Sequence, residues 1–433
     1  MMTLSSRSLK FFIPLLLLCA AAALGEVDTT TAYLIDEEIT RHIQEIIKLR
    51  RFLHMNPELS QREFETSKLV ASQLLSMGLE VKTGIAKTGV IGLLRGDQPG
   101  LTIALRADMD ALPLQEDTAV PFQSLNSGVM HACGHDIHTA VALGTARVLS
   151  RLKDRIKGNI KFIFQPGEEG PPAGEEGGAS LMIREGVLDD PPVMAVIALH
   201  VWPDIPVGQA QFTVGSALAA ADGFEITVKG RAAHGARPYE GIDAIVLASQ
   251  LVLSIHSTLN RTIHPGDPLV VSIGRIQGGV RSNIIADEVR LSGTVRTLSD
   301  ANRTRIERLL RDIALGITQP QGADFALRYT RGTSPVYNHP DLADILFPAL
   351  QAALGKNNVS AHSPQMVAED FSEFSQRIPG FYFLLGVRPP GTRTMPPLHN
   401  SRFLPDEKSI AVGIKAASHL LLDGLAYQHR IED

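Results

Sequence analysis

Apolar positions along the chain fall into two alternating rhythms. Strand-length apolar runs at 90–94, 101–105, 159–164 and 194–199 are separated by stretches at 39–53, 63–77 and 137–149 where apolar residues recur at helical spacing. The first pattern predicts buried strands and the second amphipathic helices. Strands divided by helices of this length predict an α/β sheet covered on both faces. From 224 to about 331 the order changes to strand 224–229, helix 244–259, strands 269–276 and 288–296, helix 303–317 and strand 325–330. That βαββαβ order is the split, ferredoxin-like unit. The first rhythm then returns with a helix at 342–354, a strand at 381–386 and a helix at 410–422. The expected architecture is one α/β domain in two pieces, 26–218 and 333–433, interrupted by a smaller domain at 219–332.

The first 25 residues follow neither rhythm. Arg7 and Lys10 precede an apolar run at 11–24 that is broken by Pro14 and too short to span a bilayer. Ala23-Leu-Gly25 then places small residues at the −3 and −1 positions of a cleavage site, completing the layout of a secretory signal peptide at 1–25. An exported protein, periplasmic or secreted, with no membrane anchor in its mature form is expected, beginning with a polar linker at 26–31.

Charge and cysteine usage sharpen this picture. Lys plus Arg is 41 against 46 for Asp plus Glu, and the formal charge of −5 offers nucleic acid no basic footprint. The cysteines are Cys19 and Cys133, and cleavage removes the first. An exported chain with one thiol has no internal disulfide, so Cys133 is a buried spare, an intermolecular bridge, or a functional ligand or nucleophile.

Chemistry-bearing residues cluster around that thiol. In His131-Ala-Cys-Gly-His-Asp-Ile-His138, a turn through Gly134 just before a helix can aim Cys133 and His135 at one point, and both are good ligands for zinc-like ions. Asp136 and His138 can orient or supplement them. The strand at 159–164 runs into Gln165-Pro-Gly-Glu-Glu-Gly170, placing Glu168 and Glu169 at the carboxyl end of a buried strand, where ligands of open α/β sheets gather. One carboxylate of such a pair can hold a metal while its neighbour moves protons. A second pair, Glu175-Glu176, follows seven residues later; a fixed strand end positions the first pair better than a Gly/Pro-rich loop positions the second. His200 ends another apolar run, and His399 lies in the stiff loop Pro396-Pro-Leu-His-Asn400. Cys133, His135, a Glu near 169, His200 and His399 together suffice for two ions.

These residues resemble the amidohydrolase branch of the aminoacylase/carboxypeptidase metallopeptidase family, which includes hippurate hydrolases, N-acyl-amino-acid amidohydrolases and hydrolases of auxin–amino-acid conjugates. Motifs in matching order carry the resemblance over nearly all of the mature chain: Arg50-Arg-Phe-Leu-His54 with Pro57-Glu-Leu59, Leu105-Arg-Ala-Asp-Met-Asp-Ala-Leu-Pro113, Cys133-Gly-His-Asp136, Phe164-Gln-Pro166, Ala233-His-Gly-Ala-Arg-Pro238, Ser282-Asn-Ile-Ile285 with Gly293-Thr-Val-Arg296, and Glu369-Asp-Phe371.

The resemblance implies a mixed-sheet catalytic domain with an inserted ferredoxin-like lid and dimerisation domain. It implies two divalent ions (zinc, manganese, cobalt or nickel) on Cys133, His135, Glu169, His200 and His399. Glu168 would be the base that activates a water bridging the ions. His234, Asn283 and Arg296 would hold the substrate carboxylate and polarise the scissile carbonyl, with His234 reaching the neighbouring subunit's site in a homodimer. Asp108, Asp110 and Asp136 would support the ligands from behind. The substrate expected is a small N-acyl-amino acid, cleaved to a carboxylic acid and a free amino acid. The alternatives are a dipeptidase or carboxypeptidase of the same fold, and a secreted binder of acyl-amino acids without turnover. In many relatives Gly-Gly-Ala follows a single Glu-Glu pair, whereas here Gly177-Gly-Ala179 follows the second, which leaves Glu168/Glu169 and Glu175/Glu176 to be distinguished.

Overall fold

The computed structural model describes residues 27–430, so the signal-peptide segment 1–25 lies outside the described residues. Eight strands form the main sheet in the order Glu80–Ile85, Gly89–Arg95, Lys157–Gln165, Gln98–Asp108, Val193–Pro206, Gly380–Arg388, Ala210–Phe212 and Val359–Ala361. Lys157–Gln165 through Gly380–Arg388 run parallel to one another, and antiparallel pairs flank them. The sheet is therefore mixed.

Alternation along the strands divides its apolar residues between two cores. Ile160, Phe162 and Phe164 pack with the helices Thr29–Met55, His135–Ser150, Pro340–Leu354 and Lys408–Gly424. Ile163 and Ala104 face the other way, toward Met182, Trp202, Phe371 and Phe374. Burial on both faces is why these strands read as continuous apolar runs rather than alternating ones.

A second, four-stranded antiparallel sheet has the order Leu269–Gly278, Glu288–Thr297, Ala220–Lys229, Asp324–Arg331. Phe224, Ile226, Val228, Leu291 and Val295 pack against the helices Ala244–Thr262 and Asp300–Thr318 in a core of their own. This is the ferredoxin-like arrangement of a βαββαβ chain. Asp222 ties the first strand of this sheet to its second helix, its last strand and the residue that follows it. Its carboxylate takes Arg303 at 2.6 and 3.0 Å, the Tyr329 hydroxyl at 2.7 Å and the Gly332 N–H at 3.1 Å.

Several elements differ from the sequence reading, and four of them do so for a plain physical reason. Residues 29–31 are not linker: Asp28 accepts the Thr31 N–H at 2.9 Å, and this cap starts the first helix at Thr29, ten residues before the apolar pattern becomes regular. The strand containing His200 continues to Pro206 beside Gly380–Arg388, so His200 does not end it. The strands Ala210–Phe212 and Val359–Ala361 carry only three residues each, too few for a periodicity to register.

Phe162 has no exposed surface and sits between sheet and helices. Phe162→Ala should destabilise the main sheet by about 3–5 kcal/mol, read as a lower denaturant midpoint; an unchanged midpoint would contradict this packing.

Candidate metal centre

The site gathers where the parallel strands end. Asp108 is the last residue of Gln98–Asp108, and Gln165 is the last of Lys157–Gln165, leading directly to Glu168 and Glu169. His135 is the first residue of the helix His135–Ser150, and Gly134 before it has φ +84°. A Cβ at Gly134 would collide with Val201, so only glycine combines this backbone with this close approach. The strand Gln98–Asp108 pairs with Val193–Pro206 only as far as Arg106 opposite Ala198, so His200 stands just beyond its neighbour's end of pairing. His399 holds φ +61° and donates its N–H to the Ala132 carbonyl at 2.9 Å, bringing a distant loop onto the Cys133 turn.

These elements bring all five sequence-predicted ligands together in two overlapping groups. Cys133, His135 and His200 form a buried group, and Cys133, Glu169 and His399 form a second that reaches the surface; Cys133 belongs to both. Its Sγ lies 3.4 Å from His200 Nε2 and 3.3 Å from His399 Nε2, and His399 Nε2 lies 3.0 Å from Glu169 Oε1. Backbone carbonyls set the imidazoles: His200 Nδ1 donates to Val201 at 2.8 Å, and His135 Nδ1 donates to Asp110 at 2.9 Å. Each ring thereby turns Nε2 toward the cluster, the usual way a ligand histidine is oriented.

The residues fit metal ions. His135 Nε2 is buried without a hydrogen-bond partner, and the carboxylates of Asp108 and Glu168 stand 3.8 and 3.9 Å from it. Burial opposes a proton on His135, yet Asp108 and Asp110 overcome it and raise its pKa to about 10. The pocket thus demands positive charge at an atom that has nothing to donate to, and a cation meets both conditions. Burial pushes His200 down to about 3, keeping it a neutral donor. Burial, then Glu169 and Glu168, push the Cys133 thiol well above its ordinary range. Cations reverse that effect by binding the thiolate.

Beneath the ligands lies a network that joins Asp108 and His138 to Arg106, Gln165, Glu369, Asp370 and Tyr382, to which the sequence reading gave no role. Arg106 is fully buried and contacts Asp108 at 2.6 Å, Glu369 at 2.9 Å, Asp370 at 3.0 Å and Gln165 Oε1 at 2.9 Å. The Tyr382 hydroxyl donates to Glu369 at 3.0 Å. Asp108 also accepts His138 Nδ1 at 2.6 Å, while His138 Nε2 accepts the Val201 N–H at 2.9 Å. An arginine inside an otherwise apolar strand was the available signal, because a buried guanidinium needs carboxylates around it. Burial, then Glu369, Asp370 and Glu169, push the Glu168 carboxyl well above the usual carboxylate range.

The second carboxylate pair stands apart. Glu175 is tied to Arg62 at 2.6 Å and to Lys87, and Glu176 pairs with Arg184. Asp110 contacts the cluster: besides His135, it accepts Ser60 Oγ at 2.6 Å and the Glu169 N–H at 3.0 Å. Asp136 does not. Its carboxylate turns away to Arg50 Nε at 2.9 Å and His54 Nδ1 at 2.7 Å, in a separate buried cluster with Glu116. One helical step past His135 rotates a side chain by about 100°, which takes it off the metal-facing side. His234 and Asn283 come together elsewhere, both exposed: His234 on the two-stranded ribbon of Ala233–His234 and Ile284–Ile285, and Asn283 in the turn just before it, its carbonyl accepting the Gly235 N–H at 2.8 Å. Arg296 lies half-buried on Glu288–Thr297, opposite Ala221. Among the described residues, no hydrogen bond or ion pair links these three to the cluster within one chain.

A sheet covered on both faces, with a cysteine sulfur, three imidazoles and a carboxylate converging beside Glu168 at one edge of it, has the make-up of a metal-dependent hydrolase. The comparisons agree. Residues 104–423 match the model of peptidase family M20/M25/M40, and the chain belongs to that family. It is 41% identical over 379 residues to thermostable carboxypeptidase 2 of Saccharolobus solfataricus, covering 87% of this chain and 94% of the relative. It is 41% identical over 309 residues to an N-acyl-L-amino acid amidohydrolase of Geobacillus stearothermophilus, covering 70% and 82%. Among solved structures, a dinuclear metal-binding M20 peptidase of Bacillus subtilis superposes with a TM-score of 0.76 at 34% identity, covering 88% of this chain and 98% of the other.

Asp110→Ala removes the carboxylate that reaches His135, Ser60 and the Glu169 N–H. Metal affinity should fall on the order of 10–100-fold, measured by competition with a chelator; wild-type retention would contradict the supporting role.

Proposed function

We propose that the protein is an exported amidohydrolase that cleaves N-acyl-amino acids to a carboxylic acid and a free amino acid. The observation that carries this is Glu168: a carboxyl with a raised proton affinity, 3.9 Å from His135, within one group with His135 and Glu169. Glu175 and Glu176 spend their charge in surface ion pairs, which favours the first pair as the functional one. Two divalent ions on Cys133, His135, Glu169, His200 and His399 would polarise the amide carbonyl and acidify water. Glu168 takes the proton from the attacking water and delivers it to the nitrogen of the departing amine. A binding protein has no use for such a carrier. The relative named an N-acyl-L-amino acid amidohydrolase supports the substrate class.

A second reading, carboxypeptidase or dipeptidase action at the same site, draws on the relative named a carboxypeptidase. Both readings need a group that grips the substrate's carboxylate, and His234, Asn283 and Arg296 are the candidates. The exposure of His234 and Asn283 favours service in a homodimer, where a second copy presents them. Exposed Val246 and Leu253 on Ala244–Thr262, with Val270 and Ile276 on the edge strand Leu269–Gly278, supply apolar surface for such pairing. Export rests on the signal-peptide pattern at 1–25 and on the lone Cys133 in the remainder of the chain.

Glu168→Gln should abolish hydrolysis of benzoylglycine and N-acetyl-amino acids while metal content stays near two ions per chain; retained turnover would sink the mechanism. Offering free dipeptides beside these substrates separates the two readings, and preferential dipeptide cleavage would select the second.

A further inference from the structure

Glu168 and Glu169 stand on a segment rich in glycine and proline, 166–178, which has little stiffness of its own. The turn between the helices Thr29–Met55 and Phe64–Ser76 touches that segment with three consecutive residues. Glu63 is completely buried, and its Oε1 accepts the Gly167 N–H and the Gln61 N–H, each at 2.9 Å; its Oε2 accepts the Thr88 hydroxyl at 2.6 Å. The Gly167 N–H is the last backbone donor before Glu168. Gln61 is also fully buried and holds φ +62°, a left-handed backbone unfavourable for a residue with a Cβ. Its amide fills the neck of the loop. A Cβ on Gly167 would lie 2.8 Å from Gln61 Nε2, and a Cβ on Gly177 only 2.6 Å away. Arg62 points outward and bonds Glu175 at 2.6 Å, near the far end of the same loop, where Lys87 takes the other carboxylate oxygen.

We propose that Gln61, Arg62 and Glu63 are positioning residues that latch the loop 167–177 at both ends and so fix where Glu168 and Glu169 stand. Glu63 is the inner latch, Gln61 the wedge between the two ends, and Arg62 with Glu175 the outer latch. The second carboxylate pair thereby has a task that needs no metal. A carboxylate works as a proton carrier only when held within about 0.5 Å of its productive position, and a displacement of 1 Å costs up to about 100-fold in rate. The effect on turnover rests on the proposed role of Glu168; the latch itself does not. Burial, then the nearby Asp110, pushes Glu63 up to about 7, so a neutral amide is a close substitute at that pH. Its oxygen keeps both N–H bonds and its NH2 reaches the Thr88 hydroxyl.

The test combines hydrogen exchange across 166–178 with steady-state kinetics on metal-loaded protein, using the acyl-amino acid the wild type hydrolyses best. Glu63→Ala should raise exchange through the loop and lower kcat on the order of 10–100-fold, with KM within about twofold and both ions retained. Glu63→Gln should restore both readouts. Arg62→Ala, a change at an exposed position, should raise exchange only toward 174–177, and it decides the outer latch even if Glu63→Ala fails to fold. Unchanged exchange in Glu63→Ala or Arg62→Ala, or a kcat loss that Glu63→Gln does not restore, overturns the latch. If wild type hydrolyses no amide, the reading of Glu168 fails while the exchange data still decide the latch.

Discussion

Arg106 holds the candidate centre together. Its guanidinium is wholly buried and binds Asp108 on its own strand, Gln165 on the next, and Glu369 and Asp370 from a distant loop, so three segments meet on one side chain. Removing one partner from such a buried cluster costs about 3–5 kcal/mol because the remaining charges are stranded. The balance is deliberately incomplete. One guanidinium faces three carboxylates, with Glu168, Glu169 and Asp110 nearby; burial and then the neighbouring carboxylates raise the proton affinity of Glu168, and Asp108 and Asp110 raise that of His135 against its burial. The pocket therefore attracts cations before any ligand geometry is considered.

The sheet turns that charge into a site. The strands Gln98–Asp108 and Lys157–Gln165 end side by side at Asp108 and Gln165, and the neighbouring strand Val193–Pro206 carries His200 just past the end of that pairing, so the functional side chains start from a rigid base. Cys133 in the turn before the helix His135–Ser150, His135 at that helix's start and His200 on Val193–Pro206 are all buried. Glu169 and His399 come from loops and complete the cluster from the solvent side. The inner group is set by the fold, whereas the outer group depends on contacts that pin its loops: the Ala132 carbonyl for His399, and the 61–63 turn for Glu169.

The residues legible in sequence were those whose chemistry is conspicuous and whose position follows from a strand or helix boundary. Cys133 and His135 flank a glycine before a helix, and Glu168 and Glu169 follow a strand at a fixed distance. Asp136 misled because adjacency in sequence is not adjacency on a helix: its side chain serves Arg50 and His54 instead. Glu63 and Gln61 passed unnoticed because an acidic and an amide residue ahead of a helix read as ordinary turn chemistry; only their burial against Gly167 distinguishes them. His234, Asn283 and Arg296 were legible only by resemblance, since no local pattern records which cleft an exposed ribbon faces.

In the proposed centre Cys133 binds metal as a thiolate shared between the two groups of ligands. Anaerobic titration of the metal-free protein with cobalt(II), followed by absorbance, tests it most directly, because thiolate coordination gives an intense charge-transfer band that imidazole and carboxylate ligands do not. The band should grow with added cobalt, saturate by about two equivalents and vanish in Cys133→Ser. Cobalt binding without that band would show that the sulfur is not a ligand and would contradict the shared-thiolate centre.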